Sequence, residues 1–239
     1  MQDDYGNVTL VNVSGIYDEQ PLFIDKLKKG GAGVIDAVSM TGTNGYCDDM
    51  AKENFREMMK EYPTKGIHFI DGGNYHYLTL LWLSLIEEPF DLIVFDNHSD
   101  MQKPAFGDVL SCGGWIRNLV EDSGFKGKVT VVGVDKDNID KEMKELGVKF
   151  ITKQTILKKR GQQYGLENEL IDKCWTGKRP VYISVDKDVL DEKEYKTNWN
   201  QGIMSVDELF AIIEDTFEMR KVIGMDICGE MDEAVKLEI

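Results

Sequence analysis

The sequence predicts an α/β fold: three layers, helix–sheet–helix, around a mostly parallel eight-stranded sheet. Three observations predict it. Short apolar runs of strand length alternate with amphipathic runs of helical length along the whole chain. The apolar runs are hydrophobic on consecutive positions, as in Leu92-Ile93-Val94-Phe95, which suits parallel strands covered on both faces. The 239 residues are 42% hydrophobic and 30% charged, enough for one sizeable core, and no Pro- or Ser-rich linker divides them. A single domain over residues 1–239 is therefore expected.

Taken in order, the apolar runs place strands at Val8–Val13, Val34–Ala37, Ile67–Asp71, Leu92–Asp96, Val129–Val134, Val148–Thr152, Val181–Asp186 and Val222–Ile227. The amphipathic runs between them place helices at Pro21–Lys29, Asp49–Glu61, Asn74–Ile86, Gly114–Asp122, Asn138–Leu146, Gly165–Lys173 and Ser205–Met219. The last helix opens on Ser205-Val206-Asp207-Glu208, a Ser-x-x-Glu capping box. Strand followed by helix, repeated, is the signature of parallel pairing through crossover connections.

Two strand ends carry the chemistry. The run Asp91 to Phe95 leads into Asp96-Asn97-His98-Ser99-Asp100, an Asp-x-His-x-Asp triplet. Alternate residues of an extended chain point the same way, so Asp96, His98 and Asp100 can face one point beyond the strand. The run Pro180 to Val185 leads into Ser184-x-Asp186-x-Asp188-x-x-Asp191, and Asp186 and Asp188 share a side by the same period. Both runs end where α/β sheets place their sites. Carboxylates gathered this closely need a positive counter-charge. Oxygen-rich ligation with one or two imidazoles suits a hard to borderline cation such as Mn²⁺.

Charge and cysteine usage narrow the partners. Lys and Arg number 28 against 43 Asp and Glu, a net charge of −15. Nucleic acid and anionic membrane surfaces, which need clustered Lys and Arg, are excluded as expected partners. A small cationic substrate is favoured by steering. Cys47, Cys112, Cys174 and Cys228 are dispersed with no Cys-x-x-Cys, as in a reduced cytosolic protein. The N-terminus Met1-Gln2-Asp3-Asp4-Tyr5 is acidic and polar, unlike a signal peptide. The longest apolar stretch, Leu78 to Ile86, is too short to span a bilayer. A cytoplasmic location follows as an expectation.

With these residues assembled, the chain resembles the arginase/agmatinase (ureohydrolase) superfamily as a divergent member. Four segments carry the likeness: Gly72-Gly73-Asn74-Tyr75-His76, similar to Gly-Gly-Asp-His-Ser; Asp96 to Asp100; Ser184 to Asp191; and Gly224-Met225-Asp226-Ile227-Cys228-Gly229-Glu230, similar to the family's last strand. The resemblance implies an arginase-like fold and two Mn²⁺ per chain. Asp96 and Asp186 would bridge the ions. Asp100 would complete one shell, and His98 and Asp188 the other. A hydroxide held between the ions would attack the central carbon of a guanidine- or amidine-type substrate and break its C–N bond. Asp100 and Glu230 are the expected catalytic residues, with Glu230 holding a cationic substrate group. Assembly into a homo-oligomer is compatible with this reading.

The departures are as specific. The slot of the first metal's His holds Tyr75, and His76 follows one residue later. Either the turn holds an extra residue and His76 ligates, or the first ion lacks its imidazole. The slot of the acidic residue holds Gly229, with Glu230 next. His68, inside a strand, is read as structural. The loop Met101 to Trp115 has no His to serve as a proton shuttle; it offers Gln102, Lys103, Ser111 and Cys112, and Ser111 is expected to cap the next helix. Trp82 is expected in the core, Trp115 and Trp199 near the site. Two rival functions stay open: a zinc deacetylase-like amide hydrolase using Asp96, His98 and Asp186, and a non-catalytic descendant that binds metal or ligand.

Overall fold

The apolar runs pair as one eight-stranded, all-parallel sheet in the computed structural model, which describes residues 7–104, 107–160, 170, 174 and 176–231. The strands are β1 (Val8–Asn12), β2 (Gly33–Asp36), β4 (Ile67–Ile70), β5 (Asp91–Phe95), β7 (Val129–Val132), β8 (Lys149–Ile151), β9 (Val181–Asp186) and β10 (Val222–Cys228). Their order across the sheet is β2-β1-β4-β10-β9-β5-β7-β8. The last two strands of the chain thus insert between the first half and the middle. β5 and β9 are buried at every position, which explains their unbroken apolar sequences.

Helices cover both faces: α1 (Pro21–Lys29), α2 (Asp49–Met59), α3 (Leu78–Leu83), α4 (Trp115–Glu121), α5 (Lys141–Glu145), α6 (Lys153–Lys159) and α7 (Val206–Met219). Each face has its own apolar cluster. One is built around Phe55, Trp82, Trp115 and Tyr182, the other around Phe95, Ile183, Val185 and Ile212. Trp82 is fully buried, as expected, and stacks on His68 at 4.0 Å. His68 also bonds the Tyr182 hydroxyl (2.9 Å) and the Pro63 carbonyl (3.0 Å), a satisfied core histidine. The capping box at α7 is complete: Ser205 Oγ accepts from Glu208 N, and the Glu208 carboxylate accepts from Ser205 N. No helix among the described residues is long and apolar enough to cross a membrane.

Three expected helices differ in extent, and two elements were not expected. The helix expected over Asn74–Ile86 starts as a 3₁₀ turn at Gly73–Tyr75 and becomes α-helical only over Leu78–Leu83. The helices expected at Gly114–Asp122 and Asn138–Leu146 shrink to α4 and α5; a separate turn at Lys136–Asn138, capped by Asp135, precedes α5. Helix α6 was not expected, because Lys-rich Lys153–Lys159 has little apolar periodicity; its mark is Thr152, whose hydroxyl accepts from Thr155 N. A two-stranded antiparallel pair, β3 (Tyr46–Cys47) with β6 (Leu110–Ser111), is too short to read from sequence. The helix expected over Gly165–Lys173 lies, apart from Leu170, outside the described residues.

Candidate metal centre

Four adjacent strands, β4, β10, β9 and β5, deliver one segment each to the carboxyl edge of the sheet. The β4 segment is Gly72 to His76. Tyr75 N donates to Gly72 O and His76 N to Gly73 O, the i→i−3 pattern of a 3₁₀ turn. That tighter turn advances about 120° per residue rather than about 100°. It sends Tyr75 into the core and His76 over the strand ends. The gap at Gly73 is required: a Cβ there would stand 2.9 Å from Trp199 and 3.1 Å from Asp186 Oδ2.

The aspartates are oriented by backbone. Asp96 Oδ1 accepts from His98 N (2.5 Å), Asp186 Oδ1 from Asp188 N (2.9 Å) and Asp188 Oδ1 from Asn97 N (2.9 Å). Each turns its second oxygen inward: Asp186 Oδ2 lies 3.2 Å from Cys228 Sγ and Asp188 Oδ2 lies 2.8 Å from His98 Nδ1. Asp100 adopts a left-handed backbone (φ 48°), rare for a residue with a side chain. Its Oδ2 accepts from Trp115 Nε1 at 2.6 Å.

Two imidazoles complete the centre. His76 Nδ1 lies 3.0 Å from Asp100 Oδ2, 3.2 Å from Asp96 Oδ2 and 3.6 Å from Asp186 Oδ2. His98 Nδ1 lies 2.8 Å from Asp188 Oδ2 and 3.5 Å from Asp96 Oδ1. The two oxygens of Asp96 therefore face the two groups, His76–Asp96–Asp100 and Asp96–His98–Asp188, whose donor atoms each converge within metal-binding range. Behind His76, its Nε2 is 2.9 Å from Ser184 Oγ, and Ser184 in turn donates to Asp226 Oδ1 at 2.6 Å. His76, Ser184 and Asp226 are all buried.

The electrostatics describe the donor set. Burial pushes Asp186 up to about 7, aided by Asp188 and Asp96, and Asp188 up to about 6, aided by Asp96. Burial also lifts Asp226 to about 6. Burial disfavours the charged form of His98, but bonding to Asp188 and Asp96 outweighs it and lifts the group to about 11. Burial and mutual repulsion of this kind are relieved by a positive charge placed among the carboxylates. His76 Nδ1 and Asp96 Oδ2 are buried with no aligned hydrogen-bond partner. Orphaned donors aimed at one another fit a divalent cation.

A cavity of about 160 Å³ opens over the centre, walled by Gln102, Ser111, Cys112 and Trp199. Trp199 stands edge-on to His98 at 5.6 Å, while Trp115 is fully buried beneath. Ser111 is placed at the start of the turn before α4 but makes no capping bond, contrary to expectation; its side chain faces the cavity. Asp191, at the end of its motif, lies outside this cavity and accepts from Lys193 N.

Glu230 is not brought into the cavity. It ion-pairs with Lys187 at 2.5 Å, accepts from the Tyr195 hydroxyl at 3.0 Å, and lines a neighbouring cavity across Gly73 and Trp199. The reason is Gly229. Its φ is +90°, and a Cβ there would come within 2.6 Å of Asp186 Oδ1. The expected acidic slot therefore admits no side chain, and the next residue turns away from the centre. Sequence reasoning missed the support from Ser184 and Asp226; the signal was the register, which pairs Asp226 with Ser184 two residues before Cys228 with Asp186.

The sequence model of the Arginase family matches residues 27–230. The chain belongs to the arginase family. This arginase-family chain is 30% identical over 227 residues to an uncharacterized protein of Thermotoga maritima, covering 95% of this chain and 80% of that one. Among solved structures it is similar to formimidoylglutamase of Bacillus subtilis (TM-score 0.67, 17% identity, 93% of this chain and 78% of that one). It is also similar to proclavaminate amidino hydrolase of Streptomyces clavuligerus (0.67, 18%, 95% and 84%) and to Entamoeba histolytica arginase in complex with L-ornithine (0.66, 17%, 96% and 92%). The expected arginase-like α/β fold is thereby shown, in a divergent member.

Proposed function

We propose that this protein is a hydrolase that holds two divalent cations, manganese in the first instance, and cleaves a C–N bond of a guanidine- or amidine-type substrate. The observation that carries it is the convergence of two donor groups that share Asp96, one fully and one mostly buried, with His76 Nδ1 and Asp96 Oδ2 making no aligned hydrogen bond. His76, Asp96, Asp100 and Asp186 would hold one ion; Asp96, His98, Asp186 and Asp188 the other. When bound, such a pair would lower the pKa of water toward neutrality and so supply a nucleophile for the central carbon of the substrate.

The chain's own residues do the rest. Backbone N–H groups fix one oxygen of Asp96, Asp186 and Asp188, so the opposite oxygens arrive pre-aimed. Asp100, held by Trp115, guards the His76 side. The Trp199 ring, 42% exposed at the rim, offers a surface for a flat cationic group. Substrate orientation falls to the cavity's Gln102 and Ser111 rather than to Glu230, which is tied to Lys187. The structural neighbours, a proclavaminate amidino hydrolase and a formimidoylglutamase among them, support this substrate class.

The test combines elemental analysis with a substrate panel. Protein dialysed against Mn²⁺ should keep about two ions per chain. It should release urea, formamide or ammonia from some member of a set of guanidines and formimidoyl compounds. Folded protein that retains no divalent metal would reject the proposal.

A further inference from the structure

One buried donor at the centre has no part in the ligand set above. Cys228 ends β10 directly beside Asp186 of β9 and is 0% exposed. Its Sγ lies 3.2 Å from Asp186 Oδ2, the same oxygen that lies 3.6 Å from His76 Nδ1. The donor atoms of His76, Asp186 and Cys228 all fall within 4.8 Å of one another. Ligands bound at about 2.0 to 2.3 Å to one ion sit roughly 3 to 3.7 Å apart, so the separations of Asp186 Oδ2 from Cys228 Sγ and from His76 Nδ1 suit a shared ion. The second, independent sign of a ligand is the orphaned His76 Nδ1, buried to 1% exposure and aimed into the same space. Cys228 packs in the apolar cluster of one face of the sheet, while its Sγ is turned toward a carboxylate and an imidazole.

We propose that Cys228 is a thiolate ligand of the ion at His76, which makes that position a sulfur-containing site favouring zinc or cobalt over manganese. The position at His98 keeps only oxygen and imidazole donors. The proposal rests on the two-ion reading above. Ion binding displaces the thiol proton to solvent, and the sulfur lone pair forms the bond to the metal. Thiolate is the softest donor available and biases selection toward softer ions. The two halves of the centre would then differ in metal preference.

X-ray absorption at the zinc edge of the zinc-loaded wild-type protein counts sulfur neighbours without any variant. One sulfur at about 2.3 Å per two zinc ions is expected, beside nitrogen and oxygen at about 2.0 to 2.1 Å. Cys112, half-buried in the same cavity, is the other thiol within reach. The sulfur signal should survive Cys112→Ser and vanish in Cys228→Ser. In competition dialysis, Cys228→Ser should lower the zinc-to-manganese ratio retained by about tenfold or more, an effect on the scale of losing a conserved metal contact. Zinc bound without sulfur in the wild type would overturn the thiolate assignment and leave the two-ion reading standing. A sulfur signal lost in Cys112→Ser instead would overturn it equally. Absence of bound zinc and manganese alike would overturn both.

Discussion

The substitution Ser184→Ala tests whether the centre depends on what stands behind its first imidazole. Ser184 Oγ is 2.9 Å from His76 Nε2 and 2.6 Å from Asp226 Oδ1. For His76 Nδ1 to face an ion, Nε2 must carry the proton and donate it to Ser184, which passes its own to Asp226. The alanine removes both bonds from a place with no solvent to replace them. Supporting contacts of this kind are worth about 10- to 100-fold in metal affinity, or roughly 1.4 to 2.7 kcal/mol. The group at His98 makes no contact with Ser184 and is held by Asp188 and backbone instead. The loss should therefore be one-sided. Calorimetric titration of metal-free protein with Mn²⁺ should show one ion weakened by about 10- to 100-fold and the other within about twofold. Far-ultraviolet circular dichroism checks that the variant folds. Two sites weakened equally, or neither weakened, would refute the reasoning.

Three further outcomes are expected. Replacing both Asp186 and Asp188 by alanine should abolish metal retention, because each ion loses at least one ligand; elemental analysis showing unchanged metal would contradict the assignment. Glu230→Gln should leave the metal content intact and change KM by less than about tenfold (~1.4 kcal/mol), since Glu230 is committed to Lys187 and Tyr195; a turnover collapse with metal intact would restore Glu230 to the substrate. His68, held down to about 4 chiefly by burial, should make the fold acid-sensitive. As pH falls below about 6.5 the unfolded chain takes a proton that the folded chain refuses until about 4. Stability contributed by neutral His68 is thus complete above pH ~6.5 and diminishes toward pH ~4, by about 2 kcal/mol at pH 5. Urea unfolding at pH 7 and pH 5 should show a loss smaller by that amount in His68→Gln, and an identical loss would dismiss the idea.

The fold was legible because parallel strands buried on both faces leave unbroken apolar runs, and all eight such runs entered the sheet. The aspartates were legible because their motifs stand at the ends of such runs. Asp96, Asp186 and Asp188 do line one cavity, but by turn geometry rather than strand alternation: Asp96 follows the end of β5, and Asp186 caps a 3₁₀ turn over Lys187–Val189 that carries Asp188. Asp100 converged by another route, since its left-handed backbone bends the loop back toward His76, and no pattern of side chains announces that bend. His76 left two possibilities open in the sequence, because a helical start and a 3₁₀ start give different headings for the same residue. Ser184 and Asp226 were visible as letters of motifs but not as partners, because their contact depends on a register between strands 42 residues apart in the chain. Glu230 misled because adjacency in sequence says nothing about the left-handed turn at Gly229 that aims it elsewhere.

The placement of the centre also accounts for its cost. Asp96, Asp186, Asp188, Asp226 and His76 are all nearly inaccessible to water, where an uncompensated charge is expensive. A chain shaped for stability alone would fill these strand ends with apolar residues, which are often neutral or stabilising in place of buried charge. Instead the two strands that complete the sheet, β9 and β10, enter last in sequence and bring Asp186, Asp188 and Cys228 to donors already set by β4 and β5. The centre therefore exists only in the finished fold. A cation that binds it binds the native state and not the unfolded chain, so the electrostatic cost of assembly is offset when the ion arrives. On the two-ion reading, that coupling would account for the acidic side chains held at these buried strand ends.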